Sequence, residues 1–156
     1  EGGIGAPFIV WYPKEVKANA IKKGVGHLID IAPTLYDFAG ADYPTHIGDT
    51  TINALPGLSL RAVLRSDLNQ VDRNVPLFWE RAGNRAVRYG KWKLVSLFRE
   101  GNKPELYNID EDRGENNNLA DRYPEIVNDL EKRYERWAKE NAVVDYNRLK
   151  TNNQFR

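Results

Sequence analysis

The sequence predicts an α+β fold: a small antiparallel sheet of about four strands packed against a long C-terminal helix, plus a strand and a helix that belong to a larger α/β domain. Three patterns carry this reading. Short strand-like segments follow one another between residues 76 and 109, separated by turn residues. A single helical period dominates the stretch after Pro124. Near the front, the apolar run Phe8-Ile9-Val10-Trp11-Tyr12 stands alone between Pro7 and Pro13.

That first run is rich in β-branched and aromatic residues, which predicts a buried strand. A strand needs sheet neighbours, and few nearby segments could supply them, so its sheet is expected to continue outside this chain. Residues 14–26 are polar and punctuated by glycine, as in a connecting loop. Residues 30–40 carry a helix signature. Asp30 is placed to accept from an unpaired first-turn amide, and Pro33 falls in the first turn, where a missing N–H costs little. Ile31, Leu35, Phe38 and Ala39 share a face, and Gly40 is a natural left-handed stop. Residues 41–57 read as irregular. Ser59 can cap a short helix over 60–65, with Leu60, Val63 and Leu64 turned inward. Strands are predicted over 76–79, 85–89, 92–98 and 105–109. Tyr89-Gly90-Lys91 and Gly101-Asn102 supply turn residues, and such short connections favour antiparallel pairing. From Pro124 onward, Ile126, Val127, Leu130, Tyr134, Trp137 and Ala138 recur at helical spacing between charged residues. This amphipathic helix is the expected cover for the sheet. Residues 1–57 therefore read as the remnant of an α/β domain, 58–146 as a sheet-plus-helix subdomain, and 147–156 as a polar, frayed tail.

Composition removes several functions. The 23 basic residues nearly balance the 22 acidic ones, giving a net charge of +1. No general field draws in nucleic acid or an anionic membrane, and neither is expected as a partner. No apolar run is long enough to span a bilayer. With no cysteine, disulfides, thiolate metal sites and cysteine nucleophiles are excluded from this chain. No methionine is present, not even at position 1, so the chain reads as cut or processed from something longer.

Most candidate chemistry fails on ligand number or spacing. His27 and His46 are the two histidines. His27 and Asp30 can share a helical face, but two ligands do not close a metal site. The acidic segment Asp110-Glu111-Asp112-Arg113-Gly114-Glu115 resembles a calcium loop only superficially. Its sixth position, which wants glycine, is Glu115, and its twelfth, which wants glutamate, is Asp121. A turn with solvated charges is the better reading. Ser59, Ser66 and Ser96 lack a Gly-x-Ser-x-Gly context, and Gly2-Gly3-Ile4-Gly5 lacks the Lys-Ser/Thr of a phosphate loop. The stretch Glu80-Arg81-Ala82-Gly83-Asn84-Arg85 sets a carboxylate, two guanidinium groups and an amide around a tight turn. Arginine forks suit sulfate or carboxylate oxygens, although charges at a hairpin end are also common without any role.

Several segments, in order, resemble the C-terminal part of arylsulfatase-type sulfatases. Glu1-Gly2-Gly3-Ile4 with Ala6-Pro7-Phe8-Ile9-Val10 is similar to that family's Glu-Gly-Gly-Ile/Val-Arg-x-Pro strand opening. His27-Leu28-Ile29-Asp30-Ile31-Ala32-Pro33-Thr34, ending in Asp37-Phe38-Ala39-Gly40-Ala41, resembles its Asp-x-x-Pro-Thr helix. Leu58-Ser59-Leu60, Phe78-Trp79-Glu80, Gly83-Asn84-Arg85-Ala86-Val87-Arg88, Trp92-Lys93-Leu94-Val95 and Glu105-Leu106-Tyr107-Asn108-Ile109 follow its pattern. So do Glu115-Asn116-Asn117-Asn118-Leu119-Ala120 and Pro124-Glu125. Each motif alone is weak; their order over residues 1 to about 143 is specific.

The resemblance implies a parent enzyme of the alkaline-phosphatase-like superfamily that hydrolyses sulfate esters. Such enzymes use a formylglycine nucleophile made from Cys or Ser in a Cys/Ser-x-Pro/Ala-x-Arg motif, and a Ca²⁺ ion that polarises the sulfate oxygens. None of this apparatus maps onto the chain, so no catalytic or metal residue is carried over. Formylglycine and Ca²⁺ are expected in an N-terminal catalytic domain, which becomes the expected partner, and the isolated chain is expected to be inactive. The resemblance also implies that the Trp-Glu-x-x-Gly-Asn turn faces the active-site mouth. This makes Glu80, Arg81, Asn84 and Arg85 candidates for contacting the organic part of a sulfated carbohydrate or aryl sulfate substrate. The sequence departs from the pattern in having Arg81 where many relatives have His, and Gly5 where they have Arg. The resemblance also suggests a bacterial source and a periplasmic or secreted location. Two other readings stay open: a phosphodiesterase or phosphonate hydrolase of the same superfamily, and a non-catalytic glycan-binding module with Trp79, Trp92 and Tyr107 as a stacking platform.

Overall fold

The computed structural model describes residues 4–66, 68, 71 and 73–151. The chain divides into two compact units, residues 6–73 and residues 74–156 with the first five.

The second unit contains the predicted sheet and helix. β3 (Leu77–Arg81), β4 (Asn84–Tyr89), β5 (Trp92–Ser96) and β6 (Pro104–Asn108) lie in sequence order, each antiparallel to the next. Phe78 pairs with Val87, Val87 with Leu94 and Leu94 with Leu106. Strand alternation puts these four on one face, and α3 (Pro124–Glu140) covers it. Pro124 occupies the first helical turn, where its missing N–H costs nothing. Val127, Leu130 and Tyr134 are the buried positions of α3, at the three- and four-residue spacing that the sequence shows. Trp137 stacks on Phe78 at 5.0 Å and 9°. Each fully buried aliphatic side chain here contributes about 1.5–3 kcal/mol. The exposed edge of β6 is covered by the chain's own return, with Leu119 N donating to Leu106 O at 2.7 Å and Leu106 N to Asn118 Oδ1 at 3.1 Å. An edge paired in this way is no template for aggregation. A short helix, α4 (Tyr146–Thr151), follows, where the sequence suggested only a frayed tail; residues 152–156 of that tail lie outside the described residues.

The opposite face of the sheet is more polar. Lys93 is only 2% exposed and is ion-paired with Glu115. Tyr107, beside Lys93 in the register, donates its hydroxyl to Glu105 Oε2 at 2.9 Å. Burial, followed by that carboxylate, pushes the phenol well above its ordinary range.

The first unit is built around α1 (Ile31–Ala39), a short hairpin of β1 (His46–Ile47) and β2 (Thr50–Thr51), and α2 (Arg61–Arg65). Its centre is Asp30, which is fully buried. The carboxylate accepts His27 N at 2.8 Å and Leu58 N at 2.9 Å, and pairs with the Arg73 guanidinium. Thr34 extends the same centre: its hydroxyl donates to Asp30 O at 2.6 Å and accepts Leu60 N at 2.9 Å. Gly57 lies so close to the Ile29 carbonyl oxygen that an added Cβ would sit 2.1 Å from it. Arg61 joins Asp37 and Glu15, at 2.9 and 3.0 Å.

Several expectations are corrected in this unit. Phe8 to Tyr12 forms no strand and is not buried, with Ile9 89% and Trp11 86% exposed. A strand is stable only when its amides and carbonyls find a neighbour, and none of the described residues supplies one. Asp30 does not cap α1; its two oxygens serve His27 and Leu58, while His27 Nδ1 accepts Ile29 N at 3.3 Å and caps the short 3₁₀ turn of Leu28–Asp30. Leu35 and Ala39 are exposed, so the apolar face expected on α1 is only partly covered. The tight turn at Gly48, φ +57°, lets the supposedly irregular 41–57 segment close a two-residue hairpin. Ser59 accepts Arg61 N at 3.2 Å and donates to Asp37 at 2.5 Å, but α2 begins at Arg61 with Leu60 as its cap.

Candidate functional site

The β3–β4 hairpin carries the four candidate residues. Its two central residues, Ala82 and Gly83, both have positive φ, +52° and +83°. This is the backbone twist that suits a two-residue antiparallel turn. Ala82 adopts it despite its Cβ, at a cost of about 1–2 kcal/mol. Gly83 is required twice over, because a Cβ there would lie 2.7 Å from Phe98 Cδ2. Glu80 Oε1 accepts Gly83 N at 2.9 Å. Asn84 Nδ2 donates to Arg81 O at 3.0 Å, and Asn84 Oδ1 accepts Phe98 N at 3.0 Å. Phe98 in turn meets Tyr146 edge-on at 5.0 Å. The tip is therefore braced from both sides.

Glu80, Arg81, Asn84 and Arg85 reach one end of the sheet but not one face. Glu80 pairs with Arg85 across the strands and Arg81 with Asn84. Alternation places the first pair on the α3 side and the second on the other. Arg85 is committed to α3: its guanidinium lies 3.7 Å from Glu131 and 5.3 Å from the centre of the Tyr134 ring. Tyr134 is pushed above its ordinary value by burial and then by the Glu80 charge, against the pull of Arg85. Arg81 is exposed, and its guanidinium makes no hydrogen bond or ion pair among the described residues. Of the four, Arg81 is the charge left available to something outside.

The remaining sequence candidates resolve into structure. His27 is half-buried, and burial holds its imidazole below its ordinary value; Asp30 opposes this and Arg73 adds to it. His46 is exposed, with Nδ1 3.0 Å from Thr45 Oγ1. The acidic segment is a self-contained turn, in which Asp112 Oδ2 accepts Asn116 N and Asn117 N, each at 2.8 Å. Those amides, Asn117 first, hold the Asp112 carboxyl below its ordinary value. Glu115 has φ +56° and turns towards Lys93. Among the described residues no three of His, Cys, Asp or Glu converge. Trp79, Trp92 and Tyr107 do not make one platform. Trp92 belongs to the α3 face and packs on Tyr123 at 5.1 Å, whereas Trp79 and Tyr107 alternate to the other face, where Tyr107 is buried. Sequence reasoning missed two buried pairs, Lys93–Glu115 and Asp30–Arg73. A lysine in the apolar strand Trp92-Lys93-Leu94-Val95 was the available signal for the first.

The fold and its motifs converge in comparison with known proteins. The family model for N-sulphoglucosamine sulphohydrolase, C-terminal, matches residues 1–140. The chain belongs to this sulfatase C-terminal family. An uncharacterized sulfatase of Schizosaccharomyces pombe is 31% identical over 147 residues, covering 92% of the chain and 26% of that protein. An N-acetylglucosamine-6-O-sulfatase of Bacteroides thetaiotaomicron is 27% identical over 128 residues, covering 72% of the chain and 21% of that protein. Among solved structures, one in complex with its substrate D-glucosamine-2-N,6-O-disulfate superposes with a TM-score of 0.58 at 24% identity, over 82% of the chain and 27% of that structure; it establishes likeness of fold. A 2-O GAG sulfatase matches with a TM-score of 0.53 at 27% identity, over 73% of the chain and 25% of that structure. The sulfatase C-terminal region thus spans about a quarter of the length of the relatives it matches.

Proposed function

We propose that the polypeptide carrying this chain hydrolyses sulfate esters of sugars, and that the chain forms one wall of the substrate cleft without supplying the nucleophile or the metal ligands. The observation that carries the role of the wall is Arg81, an exposed guanidinium held on a hairpin tip that Glu80, Asn84 and Phe98 brace. A fork of N–H donors with no acceptor among the described residues suits a sulfate or carboxylate on the substrate. Glu80 and Asn84 are positioning residues in this reading, and Arg85 ties the hairpin to α3. The names of relatives that act on amino-sugar sulfates support a sulfated carbohydrate as the substrate class.

In the same reading, the exposed Phe8 to Tyr12 run completes a sheet of the catalytic domain. Leaving this much apolar surface in water is unfavourable at about 25 cal/mol per Å², and pairing with that domain removes the penalty. Formylglycine and Ca²⁺ would be supplied by that domain.

The test is steady-state kinetics of the full polypeptide on a sulfated amino sugar. Arg81→Ala should raise KM by roughly tenfold with kcat within about twofold, as expected when uniform binding is lost. Unchanged KM would remove Arg81 from the substrate contact.

A further inference from the structure

Within the second unit, the chain beyond α3 turns back towards the support of the candidate hairpin. α3 ends in a reversal. Ala142 takes φ +51°, its amide donates to Lys139 O at 3.3 Å, and Val143 N donates to Ala138 O at 2.9 Å. This paired closure turns a chain away from a helix end. Asp145 then precedes α4, with Oδ1 accepting Asn147 N at 2.8 Å. The first residue of α4, Tyr146, meets the Phe98 ring edge-on at 5.0 Å and 90°. The match to the family model ends at residue 140, so this return lies beyond it.

Phe98 holds the hairpin tip twice. Its amide donates to Asn84 Oδ1 at 3.0 Å, and its ring lies where a Cβ on Gly83 would have to go. The tip needs such support. Ala82 sits in the left-handed region at φ +52°, and strained backbone persists only where its surroundings over-determine it. Phe98 itself stands on a single 3₁₀ turn, Phe98–Glu100, which buries none of its residues and has no side-chain cap. A half-buried ring on so short a turn gains a fixed rotamer from a neighbouring wall, and the half-buried Tyr146 ring supplies one.

We propose that Tyr146 is a positioning residue: through Phe98 it fixes the β3–β4 tip, and with it the Arg81 guanidinium, for the anionic group of the substrate. The inference rests on the substrate-contact reading of Arg81 above for what the tip holds.

The experiment uses the full polypeptide and two readouts. Hydrogen exchange follows the amides of Gly83 and Phe98, which the hydrogen bonds of the tip protect. Tyr146→Ala should speed both by roughly two- to tenfold, as expected for losing an edge-to-face ring pair. The Leu94 amide, in the buried interior of the sheet, should exchange as in the unsubstituted protein. Steady-state kinetics on a sulfated amino sugar should show KM raised by a similar factor, with kcat within about twofold. Tyr146→Phe keeps the ring and should match the unsubstituted protein in both readouts. In Arg81→Ala/Tyr146→Ala, KM should equal that of Arg81→Ala alone, because Tyr146 acts through Arg81. Unchanged exchange at Gly83 and Phe98 in Tyr146→Ala, equal loss in Tyr146→Phe, or KM losses that multiply in the double variant would each overturn the proposal. An unchanged KM in Arg81→Ala defeats the substrate-contact reading instead; the exchange result, which needs no substrate, then decides the brace alone.

Discussion

Replacing Asp30 by Asn isolates the charge that organises the first unit. The side chain is fully buried and nearly isosteric with its substitute. The amide keeps one oxygen, so it can still accept either His27 N or Leu58 N. It cannot accept both in the same pose, and it no longer neutralises Arg73, whose side chain is 10% exposed. Leaving one member of a buried ion pair uncompensated costs about 3–5 kcal/mol, within which the lost hydrogen bond to a charged acceptor accounts for about 1.5–3 kcal/mol. For a domain of this size that loss lowers Tm by roughly 6–20 °C. The assay is differential scanning calorimetry at neutral pH, with Arg73→Met and the double variant alongside. The double variant should recover part of the loss, because the stranded guanidinium is gone. An Asp30→Asn protein melting within about 2 °C of the parent would refute the view that this carboxylate holds the unit together.

Three further outcomes follow from the packing and the charges. Leu130→Ala empties a site at the centre of the α3–sheet core and should cost about 2–5 kcal/mol in urea unfolding. Gly57→Ala places a Cβ against the Ile29 carbonyl, and the strain should lower the unfolding midpoint although the residue is small; an unchanged midpoint would show that the backbone there shifts freely. The Glu115 carboxyl is pushed up by burial, but hydrogen bonding and nearby positive charge, those of Lys93 among them, hold it below its ordinary value of 4.5. Its contribution to stability is therefore complete above that value and is lost as pH falls through the folded one. Glu115→Gln should be destabilised at pH 7, with the gap to the parent closing on acidification below about pH 4.5.

Much of the second unit was legible because its patterns are local. Strand alternation and short turns located β3 to β6 within a few residues, and Pro124 with the 126–138 periodicity located α3. The same alternation already requires neighbours such as Glu80 and Arg81 to point to opposite faces. The four candidate residues are therefore neighbours along the hairpin but lie on both faces of the sheet. What remained illegible depends on long-range partners. Asp30 and Arg73 are 43 positions apart, and no spacing rule links them. Phe8 to Tyr12 has strand composition, yet a strand is a property of a pair, and its pairing partner is not among the described residues.

In the proposed reading, this region shapes a sulfatase cleft whose bond-breaking groups lie elsewhere in the polypeptide. Sulfate release from an amino-sugar sulfate, measured by ion chromatography for the full polypeptide and for residues 1–156 alone, tests it most directly. Turnover is expected from the full polypeptide and none from the isolated region. Turnover by residues 1–156 alone would contradict it.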